Sequence, residues 1–307
     1  MRHKPDIPAG VTVFERGWLS SNNVLCTGRH GNGLIDSGYV SHAPQTLALV
    51  HAALGAAPLN LLANTHLHSD HCGGNAALQS AYPALKTLIP HGMAPQVTEW
   101  DPVALGYQPT GQQCPAFGFD ALLRNRDTVA IGDWHWQVHS APGHDPDAVI
   151  LFQPDHKVVI SGDALWENGF GVVFPEIEGE AGFEEVAQTL DLIESLQPNT
   201  VIPGHGAVFG NVSAALSLAR KRLDGFVTNP EKHALHAAKV LIKFKLLDAQ
   251  QVSKKALSHW ALGTHHFQQL HEKYFAHTPI DTWVEDLLAA LERSGAVRTG
   301  HGTVFNQ

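Results

Sequence analysis

Four side chains that commonly bind metal ions directly follow an apolar segment of this 307-residue chain. The segment covers residues 59–64, and the four side chains are His66, His68, Asp70 and His71. A turn directly after a strand lets side chains two positions apart converge, so His66 and His68 can share one ion while the next two face a second. Neutral imidazole and carboxylate are common metal ligands. The spacing therefore predicts a two-metal centre at the end of a strand.

Three more candidate ligands come after later apolar segments. His144 stands in the motif Pro-Gly-His, Asp163 in Ser-Gly-Asp, and His205 in Pro-Gly-His-Gly. Each follows a segment predicted to be a strand, and functional side chains collect where the loops at strand ends converge. The glycine beside each one allows a sharp turn close to a bound ion. We therefore expect these three to join the first four.

In order and in rough spacing, these motifs resemble the metallo-β-lactamase superfamily. The resemblance covers about residues 10–225 and includes Gly-Leu-Ile-Asp-Ser-Gly at residues 33–38. It implies an α/β fold, the four-layer αββα sandwich, with the metal ions at one edge. It also implies that Asp163 bridges two ions. The other ligands would be His66, His68 and His144 for the first ion, and Asp70, His71 and His205 for the second.

Asp163 narrows the resemblance to the glyoxalase II-like branch, with its thioesterases and lactonases. The antibiotic-degrading lactamases generally lack a bridging aspartate at this position. Diiron flavoproteins carry a carboxylate where this chain has His68, and nucleases of the superfamily usually bear a large inserted domain that this sequence lacks. The C-terminal segment does not obviously match the glutathione-binding helices of glyoxalase II, so glutathione thioesters are not favoured.

The ligand set and the resemblance predict a dinuclear metal-dependent hydrolase. Two dications ~3.5–4 Å apart can share a water and lower its pKa, giving a bridging hydroxide that attacks an ester-like carbonyl. We expect a thioester or a lactone as substrate. Asp70 is the expected catalytic residue, accepting a hydrogen bond from the hydroxide, and Asp36 is expected to orient a ligand histidine. Zinc is the expected metal, with manganese and iron as alternatives, since the ligand types suit all three.

Two long segments without regular patterning are expected to form the walls or lids of the site. Residues 100–123 are rich in proline, glycine, glutamine and aromatic residues, and residues 164–179 contain Trp166, Phe170 and Phe174. Long irregular segments in a compact domain are usually functional or mobile, although plain surface insertions are the alternative. We predict that these three aromatic side chains bind an apolar acyl part of the substrate.

The chain is predicted to divide near residue 225. Residues 1–225, the predicted catalytic domain, carry 22 acidic and 11 basic side chains, whereas residues 226–307 carry 7 and 9. The second part has the pattern of helices followed by a β-hairpin, which predicts a small helical, winged-helix-like appendage. Its five lysines on two helices are more often a solvated face than a nucleic-acid contact. Its aromatic residues favour packing against the main domain or against a second subunit, and in the second case the protein would be a homodimer.

Composition excludes several classes of protein. A hydrophobic content of 44% with 16% charged residues is typical of a globular protein. The formal net charge of −9 argues against a nucleic-acid partner. Three cysteines do not make a disulfide framework. The sequence shows no apolar core of a secretory signal and no apolar run of ~18 residues. We expect a cytoplasmic enzyme that acts on a small molecule and contacts no membrane.

Two other functions stay open. Persulfide dioxygenases are similar to glyoxalase II but use a single iron held by two histidines and an aspartate, which would here be His66, His144 and Asp163. A weakly active regulatory or binding member of the fold is the second alternative, although the presence of all seven ligands argues against it. Metal content distinguishes the dioxygenase from the hydrolase.

Overall fold

Two β-sheets occupy most of the first 203 residues of the computed structural model, which describes residues 5–307. The first sheet has six strands in chain order: β1 (Val11–Phe14), β2 (Asn23–Cys26), β3 (Gly33–Ile35), β4 (Leu61–Ala63), β5 (Lys86–Pro90) and β6 (Ala121–Leu123). The second sheet has five: β7 (Thr128–Ile131), β8 (Trp134–Ser140), β9 (Val149–Gln153), β10 (Val158–Gly162) and β11 (Thr200–Pro203). Strands β3 to β6 are parallel, as are β10 and β11, so each group ends at one edge of its sheet.

Helices lie along these sheets and in the loops between the strands. In chain order they are α1 (Ala43–Leu54), α2 (Ser69–Cys72), α3 (Asn75–Ala81), α4 (Ala94–Glu99), α5 (Phe174–Glu178), α6 (Phe183–Leu196) and α7 (Val212–Thr228). A short 3-10 turn at Val40–His42 precedes α1.

Alternating side chains on each strand create the four layers. Successive residues of a strand point to opposite faces. Val24 packs in a core between the two sheets, whereas its neighbour Leu25 packs in a core with Val50 of α1. In the second sheet, Leu151 faces the first sheet, and Ile150 packs in the core that contains residues of α6 and α7. The predicted αββα sandwich is confirmed by this arrangement.

The C-terminal part consists of four helices and a small sheet. The helices are α8 (Pro230–Ala249), α9 (Lys254–Gly263), α10 (His265–Leu270) and α11 (Ile280–Arg293), with a π-helical turn at His271–Phe275. The strands β12 (Gln251–Ser253), β13 (Val297–Gly300) and β14 (Thr303–Asn306) form a sheet in the order β12-β14-β13. The predicted helices and closing hairpin are thus present. None of the helices within residues 5–307 is long and apolar enough to cross a membrane.

The predicted division at residue 225 falls within a helix. Helix α7 continues through residue 225 to Thr228. Asn229 then begins α8, because its side chain accepts a hydrogen bond from the Lys232 N–H and Pro230 suits the first helical position. The core of the C-terminal part also includes Val172 and Ile177 from the first part. The two parts are therefore packed together through the loop that contains α5.

Two histidines of α8 are held as neutral hydrogen-bond acceptors, and we expect them to make stability depend on pH. The Nε2 atom of His233 accepts from the Val173 N–H at 3.1 Å, and that of His236 accepts from the Arg222 guanidinium at 2.7 Å. Burial and the nearby Arg222 charge lower the pKa of His233 to about 4 and that of His236 to about 3. Below about pH 6.5 the unfolded chain therefore binds protons that the folded chain does not.

The free energy of unfolding should therefore fall as the pH falls from 6.5 towards these folded-state values, by up to about 1.4 kcal/mol per pH unit for each histidine. Between pH 6.5 and 5.0, a His236→Gln variant should lose about 1.6 kcal/mol less than the wild type. Urea unfolding of both metal-free proteins at the two pH values measures this. Equal losses in the two proteins would show that His236 is not a source of the pH dependence.

Candidate metal centre

All seven candidate ligands meet at one edge of the sandwich because each lies just beyond a strand. His66 and His68 follow β4, and Asp70 and His71 lie in the short helix α2 that continues directly from the turn. His144 follows β8, Asp163 follows β10, and His205 follows β11. The parallel pairing of β10 with β11 places Asp163 and His205 side by side. The strand order thus brings together residues that are up to 139 positions apart in the sequence.

The seven side chains form two groups. His66, His68 and His144 each direct one ligand atom within 4.8 Å of the others, as do Asp70, His71, Asp163 and His205. In the first group, His68 Nδ1 lies 2.8 Å from His144 Nε2. In the second, His205 Nε2 lies 3.1 Å from Asp70 Oδ2.

Asp163 lies between the two groups. Its Oδ1 atom is 3.3 Å from His71 Nε2, and its Oδ2 atom is 3.5 Å from His144 Nε2. One carboxylate therefore contacts a histidine of each group with a different oxygen. This is the position that a carboxylate shared by two ions would need.

The unpaired ring nitrogens of the site fit metal ions. His71 donates from Nδ1 to Asp36 Oδ2 at 2.8 Å, and His144 donates from Nδ1 to the Val172 carbonyl oxygen at 2.5 Å. These bonds leave the Nε2 atom of each ring facing the centre. The Nε2 atoms of His66 and His71 are buried without a hydrogen-bond partner among the described residues. Buried polar atoms without a partner cost free energy, and a bound cation would remove that cost.

The protonation of the site also suits cations. Burial lowers the pKa of His68 and of His144 to about 4, so both rings are neutral at pH 7, the form that binds metal. Burial alone would lower the pKa of His71, but Asp36, Asp163 and Asp70 together raise it well above the usual range. The three carboxylates around His71 therefore stabilise a positive charge at this place, and a metal ion can supply that charge instead of the proton on His71.

Asp36 lies behind His71 and accepts three hydrogen bonds. Its Oδ1 atom accepts from the Thr65 N–H at 2.9 Å, and its Oδ2 atom accepts from the Thr65 hydroxyl and from His71 Nδ1, both at 2.8 Å. All three donors converge on one buried carboxylate. Asp36 therefore fixes both the orientation of the His71 ring and the nitrogen that carries its proton.

A single peptide group connects His144 to the C-terminal part. The Val172 carbonyl accepts from His144 Nδ1, and the N–H of the same peptide group, which belongs to Val173, donates to His233 Nε2 on α8. Hydrogen bonds in such a chain polarise one another. Helix α8 thus helps to hold a candidate ligand from outside the motifs themselves.

A cavity of about 650 Å³ opens at the two groups. Its wall includes Leu105, Tyr107 and Gln112 from the irregular segment at 100–123. Helix α8 adds side chains that the sequence analysis did not assign to the site, since its own amphipathic pattern does not reveal which partner its residues face. They are His236, Val240, Lys243, Phe244 and Leu247.

The three aromatic residues predicted to bind substrate lie in different places. Trp166 and Phe174 line the cavity. Trp166 donates from its indole nitrogen to Asp163 Oδ1 at 3.2 Å, and the Phe174 ring centre is 4.8 Å from that of His68. Phe170 is a correction to the prediction: it is 1% exposed and packs against Phe226 in the core beneath α7. A residue with no surface in the cavity wall can affect substrate only through its neighbours.

Two further side chains at the site were missed. Trp18 is 55% exposed, and its ring stacks on His205 at a centre-to-centre distance of 5.4 Å. Asp145 is buried, with its carboxylate 3.7 Å from His68 Nε2. Its position next to His144 was the only sequence signal for Asp145, and Trp18 had none, because its loop reaches the site through tertiary packing alone.

Every motif just described lies within residues 16–205, the region that matches the family model described as the metallo-beta-lactamase superfamily. The chain belongs to the metallo-β-lactamase superfamily. The sandwich fold and the motifs at the strand ends agree with this assignment.

Two curated relatives are similar in sequence to this chain. The chain is 30% identical over 138 residues to a hydroxyacylglutathione hydrolase of Bdellovibrio bacteriovorus, a match that covers 45% of each protein. It is 26% identical over 226 residues to the acyl-coenzyme A thioesterase MBLAC2 of Gallus gallus, which covers 68% of this chain and 81% of the relative. The chain therefore spans less than half of the first relative and most of the second.

Solved structures extend the likeness to the C-terminal part. A beta-lactamase domain protein from Burkholderia ambifaria matches with a TM-score of 0.61 at 19% identity, covering 98% of this chain and 94% of that one. The protein TTHA1623, solved in a di-iron-bound form, matches with a TM-score of 0.53 at 26% identity, covering 68% of this chain and 96% of that one. The first match shows that a known fold extends over the C-terminal helices as well.

Proposed function

We propose that this chain is a dinuclear metal-dependent hydrolase that cleaves an ester-like carbonyl, with a thioester as the first choice and a lactone as the second. The observation that carries the proposal is Asp163, which contacts a histidine of each group beside an open cavity. The printed names of the two curated relatives, a hydroxyacylglutathione hydrolase and an acyl-coenzyme A thioesterase, support the thioester.

The seven side chains would hold two divalent ions, with zinc as the expected metal. Such a pair supplies a water of lowered pKa and a Lewis acid for the carbonyl oxygen. Asp70 is suited to accept a hydrogen bond from the attacking hydroxide, because its side chain lines the cavity and is 14% exposed, whereas that of His71 has no exposed surface. A thiolate leaving group needs little protonation, which is consistent with the thioester assignment.

The cavity wall fits an apolar acyl group. Phe174 lies over His68 on one side, and Val240, Phe244 and Leu247 of α8 form part of the remaining wall. Apolar walls also exclude water from the reacting carbonyl, which strengthens electrostatic interactions there. We therefore assign the Trp166 and Phe174 side chains to substrate binding and leave Phe170 to the core.

The first test is the metal content of the purified protein, followed by a panel of thioesters, lactones and esters. About two zinc, manganese or iron ions per chain together with thioester hydrolysis are expected. Two bound ions without hydrolysis of any member of the panel would contradict the proposal. About one iron per chain with oxygen consumption on persulfides would favour the mononuclear dioxygenase alternative instead.

A Phe174→Ala variant should discriminate against long acyl chains. Removing the ring takes away apolar contact worth about 1.5–3 kcal/mol for a fully buried side chain, so kcat/KM for an octanoyl thioester should fall by at least about tenfold relative to that for an acetyl thioester. The measurement is the ratio of the two kcat/KM values. Phe305→Ala, a change in the small C-terminal sheet, is the control and should leave the ratio unchanged. Equal losses on both substrates would remove Phe174 from the acyl site.

A further inference from the structure

Arg222 brings an unpaired positive charge to the cavity wall. Among the described residues that line the cavity, the lysine and arginine side chains are Arg222 and Lys243. Lys243 uses its three donors on the Ala296 carbonyl, the Asn306 side chain and the Gln307 carbonyl, at 2.6 to 2.7 Å. Its ammonium group therefore has a structural role in joining α8 to the end of the chain.

The Arg222 guanidinium keeps most of its hydrogen-bonding capacity free. It donates to His236 Nε2 at 2.7 Å and, at 3.4 Å, to the Asn168 carbonyl oxygen. Three of its five N–H groups have no partner among residues 5–307, and no carboxylate of those residues lies within 4.0 Å of it. An arginine is charged at any physiological pH, and its planar fork matches a carboxylate in two-point contact.

The position of the guanidinium is fixed by its surroundings. It lies over the rings of Phe170 and Phe226, at 5.7 and 5.5 Å from their centres, which stabilises the cation. Gly169 provides room for it, because a Cβ atom at that position would meet Arg222 Nη1 at 2.5 Å. Phe170 does not contact the cavity, but it helps to position Arg222, which does.

A short turn joins Arg222 to the metal centre. The Trp166 N–H donates to the Gly169 carbonyl oxygen at 2.6 Å, which closes residues 166–169 into a tight loop. At one end of this loop Trp166 donates to Asp163, and at the other end Gly169 packs on Arg222. The guanidinium and the candidate metal ligands therefore border the same cavity at the two ends of one four-residue turn.

We propose that Arg222 binds a carboxylate of the substrate, so that the preferred thioester is anionic and places its charge on Arg222 while its carbonyl lies at the metal centre. This inference rests on the proposed function. The other charged side chains in the wall are not suited to bind a carboxylate. Lys243 is already paired, and the rest are acidic: Glu178 is paired with His266 at 3.1 Å, Asp145 lies beside His68, Asp70 and Asp163 belong to the metal centre, and Glu167 is exposed.

The kinetic test uses thioesters that differ only in charge. Monothioesters of dicarboxylic acids with four, six and eight carbons are compared with their methyl esters, and S-acyl derivatives of 3-mercaptopropionate with theirs, so that the carboxylate is tried on either side of the reacting bond. The wild type should prefer at least one acid over its methyl ester. In Arg222→Gln that preference should fall at least about tenfold, mainly through KM, because a charge-assisted pair is lost. Arg222→Lys should retain part of it.

The ratio of kcat/KM for the acid to kcat/KM for its methyl ester distinguishes a loss of carboxylate recognition from a loss of folded protein. A misfolded fraction lowers both rates equally and leaves the ratio unchanged. Arg220→Gln is the matched control: Arg220 lies on the same helix but pairs with Asp191 and Glu194 at the surface. Its ratio should equal that of the wild type. An unchanged ratio in Arg222→Gln for every pair would overturn the proposal and leave Arg222 a purely structural role.

A binding measurement distinguishes failure of this inference from failure of the proposed function. Calorimetric titration of the metal-loaded protein with suberate and with 1,8-octanediol, which has the same chain length but no carboxylate and no hydrolysable bond, needs no turnover. Suberate should bind at least about tenfold more weakly to Arg222→Gln than to the wild type, with little change for the diol. If suberate binds more weakly to Arg222→Gln but the wild type hydrolyses no thioester, the proposed hydrolase function is rejected and the carboxylate site is supported. If the protein hydrolyses thioesters but Arg222→Gln changes neither the affinity for suberate nor the acid-to-methyl-ester ratio of kcat/KM, only the carboxylate site is rejected.

Discussion

An Asp163→Asn variant should lose most of its hydrolytic activity and bind fewer than two metal ions per chain. Asparagine keeps the shape of aspartate but removes the negative charge that lies between His71 and His144. Two dications in one small site repel each other, and an anionic ligand between them offsets that repulsion. Losing one ion forfeits several kcal/mol of transition-state stabilisation, so kcat/KM should fall by at least about 10³-fold.

Elemental analysis after exhaustive dialysis and kcat/KM on the best thioester measure the two effects together. Asp155→Asn is the control, because Asp155 lies in the turn between β9 and β10 and is exposed. It should bind metal and turn over as the wild type does. If Asp163→Asn kept two ions and nearly full activity, the assignment of Asp163 as a shared ligand would be wrong.

The candidate ligands were predictable from the sequence because each signal is local. An apolar run followed by His-x-His-x-Asp-His indicates a strand and its end, and parallel pairing of strands brings such ends to one edge. The same holds for the hairpin of β13 and β14, whose turn joins neighbours in the chain. In contrast, β12 has three residues and pairs with β14 some fifty positions later, so nothing local marks it as a strand.

The cavity wall was harder to predict because its residues come from elements with no shared pattern. Residues 164–179 have no period, so the sequence could not show that Phe174 faces the cavity while Phe170 faces α7. The contribution of α8 depends on how the C-terminal part packs on the first, which is a tertiary property. Arg222 is the clearest case, since on α7 it resembles any other surface arginine until the guanidinium is found over two buried aromatic rings.

Asp36→Asn should weaken metal binding by about 10- to 100-fold although Asp36 is not itself a candidate ligand. Asp36 accepts one hydrogen bond from His71 Nδ1 and two from Thr65. The amide can accept some of these but carries no charge, so the His71 ring becomes a poorer donor to a cation and is less firmly held. Competition with a chelator of known affinity measures the change. Thr65→Val, which removes one hydroxyl and leaves the Asp36 charge, is the matched variant and should cause a smaller loss.

The pH dependence of metal binding separates this electrostatic effect from simple loosening of the site. Burial disfavours the charged form of His71, but nearby carboxylates raise the pKa of His71 well above the usual range. Asp36 has the largest effect among them. In the metal-free wild type a proton on His71 therefore competes with the metal, and the apparent Kd should rise as the pH falls through that raised pKa. Without the Asp36 charge the pKa of His71 falls, so the rise should begin at a lower pH in Asp36→Asn. The loss of affinity should consequently be larger at high pH than at low pH. A loss that is equal at every pH would mean that Asp36 acts only by holding the ring in place.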